Sequence, residues 1–60
     1  MENETKFVVV IRNRKTGKDE EIIGNEKGLM NRESLRVLSG VRINLDHKNY
    51  IATTELYPYK

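Results

Sequence analysis

The sequence of 60 residues has no cysteine and no tryptophan, and it contains only one histidine and one proline. Without cysteine the chain forms no disulfide and offers no thiolate ligand, and His47 alone does not supply a structural zinc site, which needs four ligands. A domain of this size buries only about 60% of its unfolded surface, and it usually gains stability from disulfides, metals or association. We therefore expect no metal or cofactor, and we expect association.

Long apolar runs are also missing. The longest run near the N-terminus, Phe7 to Ile11, has five residues, too few for the apolar region of a signal peptide or for a membrane span. The preceding residues, Met1 to Lys6, are mostly polar. Together with the missing cysteine, these features predict a cytoplasmic protein that makes no membrane contact.

Neither sign of charge dominates the composition. Eleven basic and nine acidic residues give a net charge of +2, which is too small by itself to indicate nucleic acid binding. The charges are nevertheless clustered, because residues 12–18 carry +4 and the next three, Asp19-Glu20-Glu21, carry −3.

The first half of the chain predicts a β-hairpin. Phe7 to Arg14 is rich in valine and isoleucine, and Glu20 to Ile23 follows across a turn that contains glycine. Whatever its register, this hairpin has a base that is apolar on both faces and a tip that is charged on both faces. We expect the base to be buried and the tip to project into water.

Two registers are open for this hairpin. A two-residue loop, Thr16-Gly17, sets Ile11 opposite Ile22 but forces the β-branched threonine to positive φ. A three-residue loop that begins at Lys15 requires positive φ only at the glycine, and it sets Ile11 opposite Glu21. We favour the longer loop, because such strain costs about 1 to 3 kcal/mol whereas a cross-strand pair contributes about 0.2 to 1 kcal/mol.

A short helix is predicted from Arg32 to Ser39. Asn31 is a favourable N-cap residue, and Gly40 supplies a left-handed stop. A helix this short has to dock to persist. Its predicted buried face consists of Leu35, Val37 and Leu38.

The remaining residues predict a second hairpin. Apolar residues alternate with polar ones from Val41 to Leu45, Asp46 to Asn49 is typical of a turn, and Tyr50 to Leu56 suits a returning strand. The fold class is therefore α+β, a single β-β-α-β-β domain over residues 1–60 in which one short helix packs on two antiparallel hairpins. Residues 1–5 are predicted to be disordered, and residues 57–60 to form an extended tail.

Catalysis is not expected. Histidine is the residue type that acts as a base at neutral pH, and the only one, His47, falls in an exposed turn with no reason to face the hydroxyls of Ser34 or Ser39. Glu20 and Glu21 are neighbours in a strand and should point to opposite faces, so they should not share a site.

A nucleotide site and a small-molecule substrate are also not expected. The loop from Gly24 to Gly28 is followed by Leu29 and Met30, where a P-loop needs Lys and Ser or Thr. Lys27 lies close enough to the helix N-terminus to attract an anion, but we expect the N-cap side chain to use an amide there already.

Binding of another protein is the function that we expect. Arginine and tyrosine are enriched at contact hot spots, and an open sheet leaves edges that pair with another chain. Self-association into a homodimer is the simplest form, and a regulator or inhibitor is the expected role. The expected partner-binding residues are Arg12, Arg14, Lys15, Lys18, Tyr50 and Tyr57.

The alternative is a nucleic-acid-binding protein that uses the basic tip from Arg12 to Lys18. A two-stranded ribbon fits the major groove, and tyrosines stack on exposed bases. The acidic segment from Asp19 to Glu21 lies on the same ribbon and opposes binding to phosphate.

Overall fold

A computed structural model of the protein describes residues 5–59. Its elements are β1 (Phe7–Asn13), β2 (Asp19–Ile23), α1 (Asn31–Asn44) and β3 (Tyr50–Leu56). The three strands form one antiparallel sheet in the order β2-β1-β3, and α1 packs on one face of it. The α+β class is confirmed. The predicted disorder of residues 1–5 falls, apart from Thr5, outside the described residues.

The central strand is the most buried part of the molecule. Val8, Val9 and Val10 are all fully buried, as expected for a strand that is covered on both faces. Val9 faces α1 and packs with Leu38 and Ala52. Because side chains alternate along a strand, Val8 and Val10 face the other side of the sheet.

The hairpin of β1 and β2 has a change of register halfway along it. At the base Ile11 lies opposite Glu21, as the three-residue loop predicts, but a β-bulge then shifts the pairing so that Arg12 lies opposite Asp19. Gly17 has a φ of 75° in the loop, in agreement with its predicted left-handed conformation. The bulge therefore places Arg12 opposite Asp19, whereas the register of the base would place it opposite Glu20.

The predicted third strand is wrong, because α1 continues through residues 41–44. Within residues 5–59 the chain therefore has three strands and not the four of the β-β-α-β-β arrangement. Val41 and Leu45 lie three and seven residues after Leu38, so all three pack on the same side of the helix against the sheet. Gly40 lies within the helix and does not end it.

The predicted buried face of the helix needs a matching correction. Leu38 is buried, with 8% of its surface exposed, but Leu35 is 54% exposed. Val37 is half-buried and packs at the margin of the core. Ser34 occupies the buried position one turn before Leu38, and its hydroxyl donates a 2.7 Å hydrogen bond to the Asn31 carbonyl.

The start of α1 lies one residue earlier than predicted. Met30 is the N-cap residue and Asn31 is the first helical residue. The Glu33 carboxylate accepts a 3.1 Å hydrogen bond from the Met30 N–H, which is half of a capping box.

Gly40→Ala distinguishes the long helix from the predicted short one. Gly40 is within α1 and a Cβ built on it meets no atom within 4 Å, so we expect the variant to gain about 0.5 to 1 kcal/mol of stability. Urea denaturation followed by circular dichroism measures this. A loss of stability would indicate a left-handed helix stop at this residue.

Residues 57–59, which the sequence places in an extended tail, are held against the sheet. The Tyr57 N–H donates to the Lys6 carbonyl at 2.9 Å, and a cis peptide bond precedes Pro58. The Asn25 side chain then bonds both backbone groups of Tyr59, donating to its carbonyl at 2.8 Å and accepting from its N–H at 2.9 Å. Lys60 lies outside the described residues.

Candidate functional site

Three of the predicted partner-binding residues lie together in the loop at the hairpin tip. Arg14, Lys15 and Lys18 are all exposed. The Arg14 guanidinium donates a 2.7 Å hydrogen bond to the His47 carbonyl, which ties the loop to the turn before β3. Within residues 5–59 the two lysines make hydrogen bonds only through their backbones. The tip therefore presents two free ammonium groups and one partly engaged guanidinium.

Arg12, also a predicted partner-binding residue, is bound within the chain instead. Its Nε donates to Asp19 Oδ1 at 2.8 Å, its Nη2 donates to the Tyr59 hydroxyl at 3.2 Å, and Nη2 lies 3.8 Å from a Glu55 carboxylate oxygen. The pKa of Arg12 is raised, most by the hydrogen bond to Asp19 and next by the hydrogen bond to Tyr59. The charge of Arg12 is therefore largely matched by its own chain.

Tyr59, Asn25 and Asp19 are structural partners that the sequence analysis missed. The Tyr59 hydroxyl donates a 2.7 Å hydrogen bond to Asp19 Oδ2, so the tail, β1 and β2 meet in one polar cluster on the face opposite α1. These residues are far apart in the chain, and no local pattern marks such contacts.

The two predicted tyrosines lie at opposite ends of β3. Tyr50 opens the strand and Tyr57 follows its last residue, a separation of roughly 23 Å for seven residues in extended conformation. The Tyr57 hydroxyl donates to the Glu26 carbonyl at 3.1 Å. The six predicted residues therefore do not form one continuous surface.

An open acidic groove of about 430 Å³ lies between the hairpin and the end of α1. Glu20, Glu21 and Asp46 line it together with Ile11, Asn44, Leu45 and Tyr50. The expectation that Glu20 and Glu21 point to opposite faces is wrong, because the β-bulge interrupts the alternation at this point. Within the described residues no three acidic or histidine side chains form a metal-binding group.

The turn that closes this groove is fixed by its own hydrogen bonds. Asp46 accepts from the Asn49 side-chain amide at 2.7 Å and from the Lys48 N–H at 3.1 Å. These bonds, with the Asn49 amide contributing most, lower the pKa of Asp46. His47 Nε2 lies 2.8 Å from the Arg42 carbonyl at the end of α1. Both side chains therefore have structural contacts that hold the helix end to the turn.

A second cavity of about 360 Å³ lies beside the N-terminus of α1. Lys6 and Lys27 line it, but so do Glu26 and Glu33. Because the Glu33 carboxylate already accepts the Met30 N–H, an anion would meet a like charge at the helix start. This cavity offers little for a phosphate group.

Large apolar side chains are exposed on α1 and β3. The most exposed is Ile43 at 78%, followed by Leu56 at 63%, Leu35 at 54% and Ile51 at 43%. Leu56 and Ile51 lie on an edge strand. The two helical residues lie outside the side of α1 that packs on the sheet. Exposed apolar side chains at a sheet edge are a typical feature of interaction surfaces.

Comparisons with models of protein families, with curated proteins and with solved structures found no match to this chain. Among residues 5–59, no helix has the length and apolar character that a membrane span requires. The surfaces of the chain itself are therefore the basis for any proposal about its function.

Proposed function

We propose that this chain is a small cytoplasmic binding protein, without enzymatic activity, that acts as a regulator or inhibitor through protein contacts, including those of a homodimer. The exposure of large apolar side chains on α1 and β3 carries this proposal. Ile43, Leu56 and Leu35 each leave more than half of their surface in water. A partner that covers such side chains gains roughly 25 cal/mol for each Å² of apolar surface removed from water.

The small core gives association a thermodynamic benefit. The buried apolar residues of the described chain are three valines, one leucine and one alanine, which is little material for a stable domain. A partner that binds only the folded state stabilises it by mass action. Association therefore supplies stability that the core does not.

The positions of Ser34 and His47 support a non-enzymatic role. Ser34 is buried and its hydroxyl donates to a backbone carbonyl. His47 contacts the Arg42 carbonyl, eight residues further along the helix, or roughly 12 Å at 1.5 Å per residue. A nucleophile and its base need to lie within about 3 Å of each other. This pair does not provide such a site.

Nucleic acid binding is the second candidate, and the exposed cations of the tip favour it. Arg14, Lys15 and Lys18 would supply the phosphate contacts, since Arg12 is paired with Asp19. The acidic groove beside the tip opposes this function, because its carboxylates repel phosphate.

Sedimentation equilibrium of the intact chain at tens of micromolar tests the leading proposal. We expect a mass of twice the 7.0 kDa of one chain. The control is the triple substitution Arg14→Ala, Lys15→Ala and Lys18→Ala. These residues were expected to bind a partner, but they lie in the tip loop and not on α1 or β3, so under the proposal the variant should still have the mass of a dimer. In parallel, fluorescence anisotropy with labelled DNA and RNA should show no binding that falls steeply with salt. Salt-dependent binding lost in the triple variant would favour the second candidate instead.

A further inference from the structure

The outer edge of β3 has backbone groups available for another strand. At the two ends of β3, the odd-numbered residues 49 and 57 form hydrogen bonds with Arg14 and Lys6, which flank β1. In an antiparallel pair every second residue bonds to a given neighbour, so the odd-numbered residues of β3 face β1. The even-numbered residues Ala52, Thr54 and Leu56 therefore direct their N–H and C=O groups to the open edge.

Part of this edge is already used by the chain and part is not. The Tyr50 N–H donates to Asp46 at 2.9 Å, and the Ala52 carbonyl accepts from Arg42 at 3.3 Å. Within residues 5–59 the outward backbone groups of Thr54 and Leu56 have no such partner. The free segment thus lies in the second half of the strand.

The side chains around this edge suit contact with an identical surface. Leu56 and Ile51 are exposed on the strand, and Leu35 is exposed on the helix that packs against it. Glu55 is the only charged residue of β3, and its carboxylate lies 3.8 Å from the Arg12 guanidinium. Two copies placed edge to edge would therefore meet with apolar side chains and little repulsion.

The opposite edge of the sheet has the features of a protected edge. β2 has only five residues, three of which are Asp19, Glu20 and Glu21, and a β-bulge interrupts its pairing. Short strands, charged side chains and bulges all discourage edge pairing, and like charges placed opposite each other destabilise a sheet. Self-association through β2 is therefore disfavoured, which leaves β3.

We propose that a second copy of this chain pairs with β3 in antiparallel orientation, so that two three-stranded sheets join into one of six strands. The proposal rests on the homodimer of the proposed function and names its surface. A two-fold axis through the edge makes the contact self-complementary and closed. A standard interface covers about 800 Å² of each partner, which is under a fifth of the 4565 Å² that one chain exposes.

Amide hydrogen exchange measured by NMR tests this contact residue by residue. At a concentration where sedimentation shows monomers, the amides of Thr54 and Leu56 should exchange rapidly because they face water. At a concentration where it shows dimers, both should slow by at least about tenfold. The amides of Thr53 and Glu55 are internal controls, since they bond to β1 in either state and should remain protected.

A charge placed at the edge provides a second, independent measurement. Leu56→Lys should weaken the dimer by about tenfold or more, because lysine at a sheet edge opposes pairing. Ser39→Lys is the matched control, since Ser39 is exposed on α1 and lies outside both the side of the helix that packs on the sheet and the set of exposed apolar side chains; its dissociation constant should equal that of the parent. Both variants should melt as the parent does when monomeric.

The possible outcomes separate the contact from the function. A dimer in which Thr54 and Leu56 stay unprotected, and which Leu56→Lys does not weaken, overturns pairing through β3 while the homodimer stands. If the chain remains monomeric up to about 1 mM, both the pairing and the homodimer are overturned. The partner of this edge would then be an extended segment of a different protein. Protection of both amides together with weakening by Leu56→Lys supports the proposal.

Discussion

Leu38→Ala is expected to lower the free energy of unfolding by about 2 to 5 kcal/mol. Leu38 is 8% exposed and packs against Val9 and Ala52, where it is the only buried residue that α1 contributes to the apolar core cluster of the described chain. Truncation removes buried methyl groups and leaves a cavity that the surrounding strands cannot fill. A domain of this size rarely has more than about 3 to 5 kcal/mol of stability from its core, so a large fraction of the variant should be unfolded at room temperature.

Leu35→Ala is the matched control for this substitution. It removes the same atoms from the same helix, but Leu35 is 54% exposed, so we expect a loss within about 1 kcal/mol. Chemical denaturation followed by circular dichroism, at a concentration low enough to exclude association, compares the two variants. A larger loss for Leu35 than for Leu38 would mean that α1 presents a different face to the sheet.

Gly28→Ala is expected to destabilise the protein more than the same substitution at a left-handed glycine in open space. Gly28 has a φ of 83°, and a Cβ built on it lies 2.8 Å from Lys6 Cβ and 2.9 Å from the Tyr57 ring. Both neighbours are held, since their backbones are hydrogen-bonded to each other at 2.9 Å. Left-handed strain and overpacking together predict a loss of roughly 2 to 5 kcal/mol.

Gly17→Ala separates the two causes. Its φ of 75° imposes similar strain, but a Cβ at this position meets no atom within 4 Å, so the expected loss is only about 1 to 2 kcal/mol. Thermal unfolding of both variants measures the difference. Equal losses would mean that the ring of Tyr57 moves aside at little cost and that the tail does not pack tightly on the loop.

The first half of the fold follows from the sequence more closely than the second. The hairpin, its buried base and the left-handed Gly17 are local features, and valine-rich strands and a glycine turn mark them clearly. The run from Val41 to Leu45 is ambiguous. Val41 and Leu45 lie three and seven residues after Leu38, which fits a helix, while the alternation of apolar and polar residues fits a strand. Ile43, which alternation would bury, is 78% exposed, so the helical spacing prevails.

The contacts that sequence reasoning could not provide are those between distant residues. Asn25 binds the backbone of Tyr59, 34 residues later, and Arg12 reaches the hydroxyl of the same tyrosine, 47 residues away. The bulge that brings Glu20 and Glu21 to one groove depends on how β2 pairs and not on its own residues. Pairing and docking of this kind appear only when the whole chain is assembled.

The position of β1 between its two partners has a consequence for the order in which the chain folds. β1 meets β2 across a tight turn, but its nearest pairing with β3 joins Asn13 to Tyr50 and encloses residues 14–49. Closing so long a segment costs about 2 kcal/mol more in chain entropy than closing the turn, and pairing between distant residues is slower. The hairpin and the helix can therefore take shape early and reversibly, while the arrival of β3 beside β1 is the step that commits the molecule to its native topology.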